Sequence, residues 1–207
     1  MLKLSKCGFR DNEVNKKSML KSVFSLNSQK KVLSHRINSV VSSINEASLY
    51  VSVDDLTKVL LFFKNDENCL FKVLVDIFVV DFFESQKRFE IIYCLLSVKY
   101  NTRIKIKCRL DEFTPLVSIV SLFSNANWLE REIWDMYGIF IQEHPDLRRL
   151  LTDYGFEGYP LRKDFPLSGY VECRYDESQK RVVSESLELA QDFRVFNFES
   201  PWKKKNK

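Results

Sequence analysis

Three segments in the middle of the chain carry strand patterning, and the links between them are too short for a helical crossover. In Phe71–Val80 the odd positions Phe71, Val73, Val75, Ile77 and Val79 are all apolar. Phe89–Val98 is apolar on both faces, as a central strand is. In Arg103–Leu110, Ile104, Ile106, Cys108 and Leu110 alternate with Arg103, Lys105, Lys107 and Arg109, which predicts one wet face. The links Glu84–Arg88 and Lys99–Thr102 allow only hairpin returns, so the three strands form an antiparallel meander.

Helical spacing flanks this meander. Between about Met19 and Ile44, the residues Ile37, Val40, Val41 and Ile44 predict a helix. Leu49–Val53 alternates and reads as a strand. A helix follows, with Ser52 as cap, Asp55 three residues on, and Val53, Leu56, Val59, Leu60 and Phe63 on one face. Leu116–Phe123 is an apolar segment just after Pro115. A further helix runs from about Asn125 to Tyr137, with Gly138 as its stop. Beyond Ile141 only Tyr170–Val183 suggests short extended pieces. The last forty or so residues have too few regularly spaced apolar positions to build a core.

The fold class is therefore α+β: a small antiparallel or mixed sheet packed with helices, followed by a long irregular C-terminal extension. The expected division is an unassigned N-terminal segment 1–48, a core domain 49–140, and an irregular loop and extension 141–207 that must lie on the domain, lie on a partner or stay loose. With 207 residues, 45% of them hydrophobic and 14% aromatic, the chain can bury one substantial core.

Charge and cysteine usage narrow the function. A net charge of +4 is mild, and the dense basic cluster Lys203–Lys205 with Lys207 reads as a solvated tail. Nucleic-acid binding wants a concentrated basic stripe, for which Arg103, Lys105, Lys107 and Arg109 are the one candidate. No apolar run reaches the roughly 18–20 residues that span a bilayer. Val73–Phe83 comes closest, but Asp76 and Asp81 interrupt it. The N-terminus has no apolar signal-peptide core, and Asp11 and Glu13 make it a poor presequence. The five cysteines (Cys7, Cys69, Cys94, Cys108 and Cys173) show no Cys-x-x-Cys spacing. They suggest reduced thiols rather than a zinc or iron–sulfur site.

Chemistry concentrates between Asn125 and Val183. Gly138, Gly155, Gly158 and Gly169 and Pro145, Pro160 and Pro166 lie here, among arginines, carboxylates and aromatics. On a helical projection Leu129, Ile133, Met136 and Tyr137 share one side, with Trp134 at its margin. Arg131, Glu132 and Asp135 gather opposite. Glu130 falls on the aromatic side, so if buried it needs a partner, for which Arg148, Arg149 and Arg162 are the candidates. A hydrolase reading would use Glu130, Glu132 and Asp135 with His144. However, no metalloprotease, phosphate-loop or nucleophile-elbow spacing accompanies them. His144, ahead of Pro145, reads as a turn element. Tryptophan and tyrosine beside arginine is the composition of a protein–protein interface.

These residues carry a family resemblance. Glu130-Arg-Glu-Ile-Trp-Asp-Met-Tyr-Gly138 closely resembles the signature of the 30 kDa subunit family of respiratory complex I, the proton-pumping NADH:ubiquinone oxidoreductase. The likeness continues through His144–Arg149, Leu151–Gly158, Pro160–Val171, Arg174–Asp176 and Lys180–Val183. Arg88–Glu90, Tyr100–Arg103 and the closing Ser200-Pro-Trp202 share it, so it covers roughly residues 50–202.

The resemblance implies a peripheral, structural subunit of a hetero-oligomer. It would lie on the matrix side of the mitochondrial inner membrane, in the quinone-reducing module of the hydrophilic arm. Its chief neighbour would be the large subunit of that module. It implies no cofactor, metal or catalytic residue in this chain, the assembly's FMN, iron–sulfur clusters and ubiquinone belonging to other subunits. It implies neither nucleic-acid binding nor a membrane span. The structural or interface residues on this reading are Glu130, Arg131, Glu132, Trp134, Asp135, Tyr137, His144, Arg148, Arg149, Arg162, Asp164 and Trp202.

Overall fold

The structure, a computed structural model, describes residues 35–42, 47–196, 200 and 202. The polar 1–17 segment, Ile44, Phe198 and the Lys203–Lys205 cluster lie outside the described residues. The chain divides into two compact units, one ending at Phe165 and the other beginning at Pro166.

The first unit is built on a five-stranded sheet. Its strands are β1 (Ile37–Ser42), β2 (Ala47–Val51), β3 (Val73–Asp81), β4 (Phe89–Ser97) and β5 (Thr102–Leu110), in the order β1-β2-β5-β4-β3. The expected meander is present, since β3–β4 and β4–β5 are both antiparallel. β2 joins the far side of β5 in parallel, so the sheet is mixed.

Two expectations fail at β-bulges, for the same reason. Ile37, Val40 and Val41 belong to strand β1, not to a helix. The register with β2 slips between Ile37 and Ser39, so Ile37 opposes Val51 and Val40 opposes Leu49. An extra residue puts two positions three apart on one face, which imitates helical spacing. In β3 the register shifts between Leu74 and Asp76, so Leu74 and Ile77 face the core while Val73 and Val75 are exposed. The odd-position pattern of that strand therefore holds only from Ile77 onward.

Helix α1 (Leu56–Asn65) buries Leu56, Val59, Leu60 and Phe63 on the sheet. It starts three residues later than expected, and neither Ser52 nor Asp55 caps it through its side chain. Ser52 Oγ instead donates to Asp55 Oδ2 at 3.3 Å. Helix α2 (Ala126–Tyr137) packs along the edge strand β3. Asn125 Nδ2 donates to the carbonyl of Leu74 at 3.0 Å, and Tyr137 Oη donates to that of Val79 at 2.9 Å. The fit is one of length. Twelve helical residues rise about 18 Å, and the strand from Leu74 to Val79 spans about 17 Å. Occupying these carbonyls protects an edge strand against further pairing.

Gly138, at φ 71°, stops α2, as expected. Two short strands, β6 (Leu116–Val117) and β7 (Ile141–Gln142), pair in parallel. They are followed by residues 143–165, which return along α2. The core gathers on one sheet face around Tyr93, Phe63, Phe89, Leu49 and Ile106.

The second unit contains an antiparallel hairpin, β8 (Val171–Asp176) and β9 (Arg181–Ser186). One of its faces presents Val171, Cys173, Tyr175, Val182, Ser184 and Ser186. The other presents charges, including Arg174 held by Glu185 through two bonds of 2.7 Å. Both strands remain exposed or half-buried along their length.

Candidate functional site

The signature helix α2 is buried on more sides than its sequence suggests. Arg131 and Asp135, expected on a wet face with Glu132, are both buried, and only Glu132 is exposed. The cover is the chain's own segment 144–152. Arg131 Nε donates to the carbonyl of Arg148 and its Nη2 to that of Arg149, each at 3.3 Å. Asp135, 0% exposed, accepts the amides of Leu150, Leu151 and Thr152 at 3.1, 2.7 and 2.9 Å, and the Thr152 hydroxyl at 2.6 Å. Arg149 adds a contact of 3.3 Å to the same carboxylate. Burial pushes the Asp135 pKa up, but the hydrogen bonds from Thr152, Leu151 and Leu150 outweigh it and hold the carboxyl below the usual aspartate range. The signal that could have predicted this is Arg131 and Asp135 at i, i+4, with charges too regularly placed to be only solvated.

Glu130 is 1% exposed, as its position on the aromatic side requires. Its partners are not the arginines expected. Ser118 Oγ donates to Oε2 and the Ile119 amide to Oε1, both at 2.7 Å. His144 Nε2 lies 3.8 Å from Oε2 and 3.2 Å from the carbonyl of Asn127. The Asp146 amide donates to His144 Nδ1 at 3.1 Å, which leaves the ring proton on Nε2. His144 is thus the hydrogen-bonded turn element the sequence suggested. Two donors satisfy Glu130, but burial dominates and raises its pKa.

The three candidate arginines go elsewhere. Arg148 pairs with Asp146 on the surface at 2.9 Å. Arg149 donates to Gly158 O at 3.1 Å and lies over the rings of Phe156 and Tyr159. Arg162 Nε donates to the helix-terminal carbonyl of Tyr137 at 2.6 Å, its Nη1 binds Glu112, and its guanidinium stacks 4.7 Å from Tyr159. These contacts require glycine at 138, where a Cβ would meet the Tyr159 ring at 2.5 Å.

A second network closes the far end of the segment. Arg88 grips Asp81 with two parallel bonds of 2.8 and 2.9 Å and reaches Asp164 at 3.1 Å. The Lys163 amide donates to the same Asp81 carboxylate at 2.9 Å. Arg88 holds the carboxyls of Asp81 and Asp164 below the usual range, and they in turn raise its own pKa. Asp81 was visible in the sequence only as a charge interrupting an apolar run.

Trp134 packs edge-on against Phe140 and Tyr159, both centroids at 6.1 Å. Phe140, Leu161 and Trp128 are largely exposed, and Trp202 is exposed in the second unit. The basic side of β5 is partly neutralised, because Lys107 and Arg109 both bind Glu90, at 2.9 and 2.6 Å. Cys69 and Cys108 are buried and in no disulfide, and burial pushes the Cys108 thiol up to about 12. Cys94 is half-buried, Cys173 is exposed, and Cys7 lies outside the described residues.

The carboxylates of a hydrolase reading do not converge. Glu130 and Asp135 are consumed by different partners of the chain's own, and Glu132 faces solvent. Among the described residues, no three His, Cys, Asp or Glu side chains group where they could hold a metal.

Fold and site together define an α+β scaffold domain whose charged signature helix is spent on its own backbone. The family model described as "Respiratory-chain NADH dehydrogenase, 30 Kd subunit" matches residues 49–171. The chain is 56% identical over 166 residues to NADH-ubiquinone oxidoreductase subunit 9 of Reclinomonas americana, covering 80% of this chain and 81% of that protein. It is 54% identical over 167 residues to the protein of the same name from Prototheca wickerhamii, covering 81% and 87% of the two. A chain in the structure of the membrane-bound sulfane sulfur reductase, an archaeal respiratory membrane complex, superposes with a TM-score of 0.59. At 21% identity, over 77% of this chain and 99% of that one, that likeness shows the shared fold alone. The chain belongs to the family of the 30 kDa subunit of respiratory-chain NADH dehydrogenase, as the Glu130–Gly138 motif led us to expect.

Proposed function

We propose that this chain is a structural subunit of the hydrophilic arm of a proton-pumping NADH:ubiquinone oxidoreductase. It stabilises the module that passes electrons from NADH-derived carriers to ubiquinone and holds no reacting group itself. FMN, iron–sulfur clusters and the quinone site belong to other subunits on this reading. The chain sits peripherally on the matrix side of the mitochondrial inner membrane, against the large subunit of the quinone module. Membership of the family supports the assembly. Among the described residues no helix is long and apolar enough to cross a membrane, which is consistent with a peripheral place.

The observation that carries the structural role is the use of the signature helix. Arg131, Asp135 and Glu130 are each satisfied by backbone or hydroxyl groups of this same chain. None is held out toward a substrate. The exposed side chains suit docking: Phe140 beside Trp134 and Tyr159, and the apolar face of the β8–β9 hairpin with Val171, Tyr175 and Val182. A two-stranded hairpin is marginal alone in water and gains most from a partner.

Native electrophoresis of the solubilised membranes tests the reading. The chain is expected to migrate in a very large assembly with NADH dehydrogenase activity. Migration as a free small protein, with that activity intact elsewhere, would overturn it.

A further inference from the structure

The motif Leu151-Thr-Asp-Tyr-Gly-Phe-Glu-Gly158 supplies nothing to the core cluster, yet its backbone is pinned at both ends. One guanidinium draws those ends together. Arg149 Nη1 donates to the Thr152 hydroxyl oxygen at 3.4 Å and to the Gly158 carbonyl at 3.1 Å. The buried Asp135 carboxylate holds the Thr152 amide as well, at 2.9 Å. At Gly158 the Phe165 ring stands 2.8 Å from where a Cβ would be, and it packs on Phe156 with centroids 6.0 Å apart. A short loop with joined ends, packed by its own side chains, is an Ω-loop, a form that often carries function.

Between the pins the chain makes an open turn. The Asp153 carbonyl accepts the Phe156 amide at 3.2 Å, with Tyr154 and Gly155 at the tip. Gly155 has φ 71°, the third-position angle that a type II turn reserves for glycine. A Cβ on Gly155 would meet nothing within 4 Å, and Tyr154 is 103% exposed. Leu151, at the foot of the loop, is exposed as well. Asp153 and Glu157 flank the tyrosine, and both are exposed. Among the described residues no cation pairs with either, and the Asp153 carboxylate accepts only the neighbouring Tyr154 amide.

Resting on the subunit reading above, we infer that this loop is a preformed plug: Tyr154 enters an apolar pocket of a neighbouring protein subunit, and lysines or arginines on the pocket's rim meet Asp153 and Glu157. Tyrosine suits the anchor, since its ring fills an apolar pocket while its hydroxyl finds an acceptor at the floor. The pinned ends matter because a loop already in its bound shape loses little freedom on docking. The free carboxylates select the partner. An anionic membrane surface repels them, and so do the phosphates of a nucleic acid. A cationic rim around an apolar pocket matches both the tyrosine and the charge beside it.

Tyrosine nitration and photocrosslinking of the native assembly test this. Tetranitromethane should nitrate Tyr154 at least about tenfold more slowly in the assembly than in the isolated full-length chain. Benzoylphenylalanine placed at position 154 should crosslink to one segment of one other subunit. Tyr154→Ala should keep the thermal midpoint of the unmodified chain, because the side chain touches nothing it could unsettle, but bind the assembly about 30-fold more weakly, the size of an interface hot spot. Glu157→Lys should likewise fold normally and be lost from the assembly at a salt concentration that the unmodified chain withstands. The inference is overturned if Tyr154 reacts equally in both states, or if the crosslinks go only to this chain, to lipid or to RNA. It is overturned also if Tyr154→Ala lowers the midpoint, or if either variant assembles as the unmodified chain does. Absence of the unmodified chain from the large assembly is a different result, seen before any labelling, and removes the subunit reading itself.

Discussion

Arg131 and Asp135, one helical turn apart on α2, divide the backbone of a single loop between them. Arg131 donates to the carbonyls of residues 148 and 149, and Asp135 accepts the amides of residues 150, 151 and 152. The cation takes the acceptors and the anion takes the donors of consecutive peptides. The loop therefore needs no secondary structure of its own to satisfy its polar groups.

Replacing Asp135 by Asn is expected to free that loop. An amide oxygen serves fewer donors than a carboxylate, and a buried donor left unsatisfied costs about 1–3 kcal/mol. Hydrogen exchange at Leu150–Thr152 should accelerate, with a lowered thermal midpoint. The pH dependence has a definite sign. Because the folded Asp135 carboxyl is held low, its contribution is complete above the ordinary aspartate pKa of about 3.9 and is lost as acid carries the pH through the lower folded value. Asp135→Asn should flatten that acid limb. Unchanged exchange and an unchanged limb would show that the loop is held by other contacts.

Glu130 has the opposite linkage. Burial raises its folded pKa, so its contribution is fullest below the ordinary glutamate value of about 4.3 and declines as the pH rises through the raised one. Glu130→Gln, which keeps an acceptor and removes the buried charge, should therefore be nearly neutral in stability at pH 7. Glu130→Ala leaves the Ile119 amide and the Ser118 hydroxyl proton without their acceptor and should cost about 1–3 kcal/mol. Glu132→Ala, on the exposed side, should cost less than about 0.5 kcal/mol. The readout is the amount of assembled complex, with turnover per complex unchanged. Normal abundance with reduced turnover for Glu130→Gln would place Glu130 on the reaction path.

Gly138→Ala carries two penalties, which a second substitution can separate. The positive φ costs roughly 1–2 kcal/mol with a Cβ, and the new methyl meets the Tyr159 ring. In the Gly138→Ala/Tyr159→Ala pair the clash is gone while the backbone cost remains. The two changes should therefore sum to less than their separate effects in chemical denaturation. Additivity within error would mean that Tyr159 moves aside freely.

Arg88→Lys should behave as a deletion despite its kept charge. A lysine cannot form the two parallel bonds to Asp81 while also reaching Asp164. The expected loss is about 1.5–3 kcal/mol, typical of hydrogen bonds to charged groups, and urea denaturation measures it.

What was legible in the sequence follows physical range. The β3–β4–β5 meander depends on local alternation and short links, and both are visible in the chain. The stop at Gly138 depends on one backbone angle. The bulges in β1 and β3 were hidden, because an extra residue converts a period of two into an apparent three. The partners of Glu130 were hidden because Ser118 and a main-chain amide carry no charge to match. The burial of Arg131 and Asp135 was hidden because their cover is irregular backbone from 148–152, which has no periodicity to read.

The partners of Arg131 and Asp135 set where the chain can be cut. The core domain was expected to end near residue 140, whereas the compact unit runs to Phe165. A chain ending at Phe165 keeps the loop that serves Arg131 and Asp135, His144 beside Glu130, and Asp164 on Arg88. It loses only the second unit, whose hairpin buries no residue of its own. A chain ending at Gln142 leaves Arg131 and Asp135 without their partners, at about 1–3 kcal/mol for each buried group orphaned, against a total stability of about 5–15 kcal/mol for a domain. The first chain should unfold cooperatively with a midpoint close to that of the full-length chain, and the second should be aggregated or show no cooperative transition. In a pull-down with the large quinone-module subunit, the chain ending at Phe165 should be captured more weakly than full length, because the apolar hairpin face is gone. Equal capture would move the interface onto the first unit, with the patch of Phe140, Trp134 and Tyr159 as its centre.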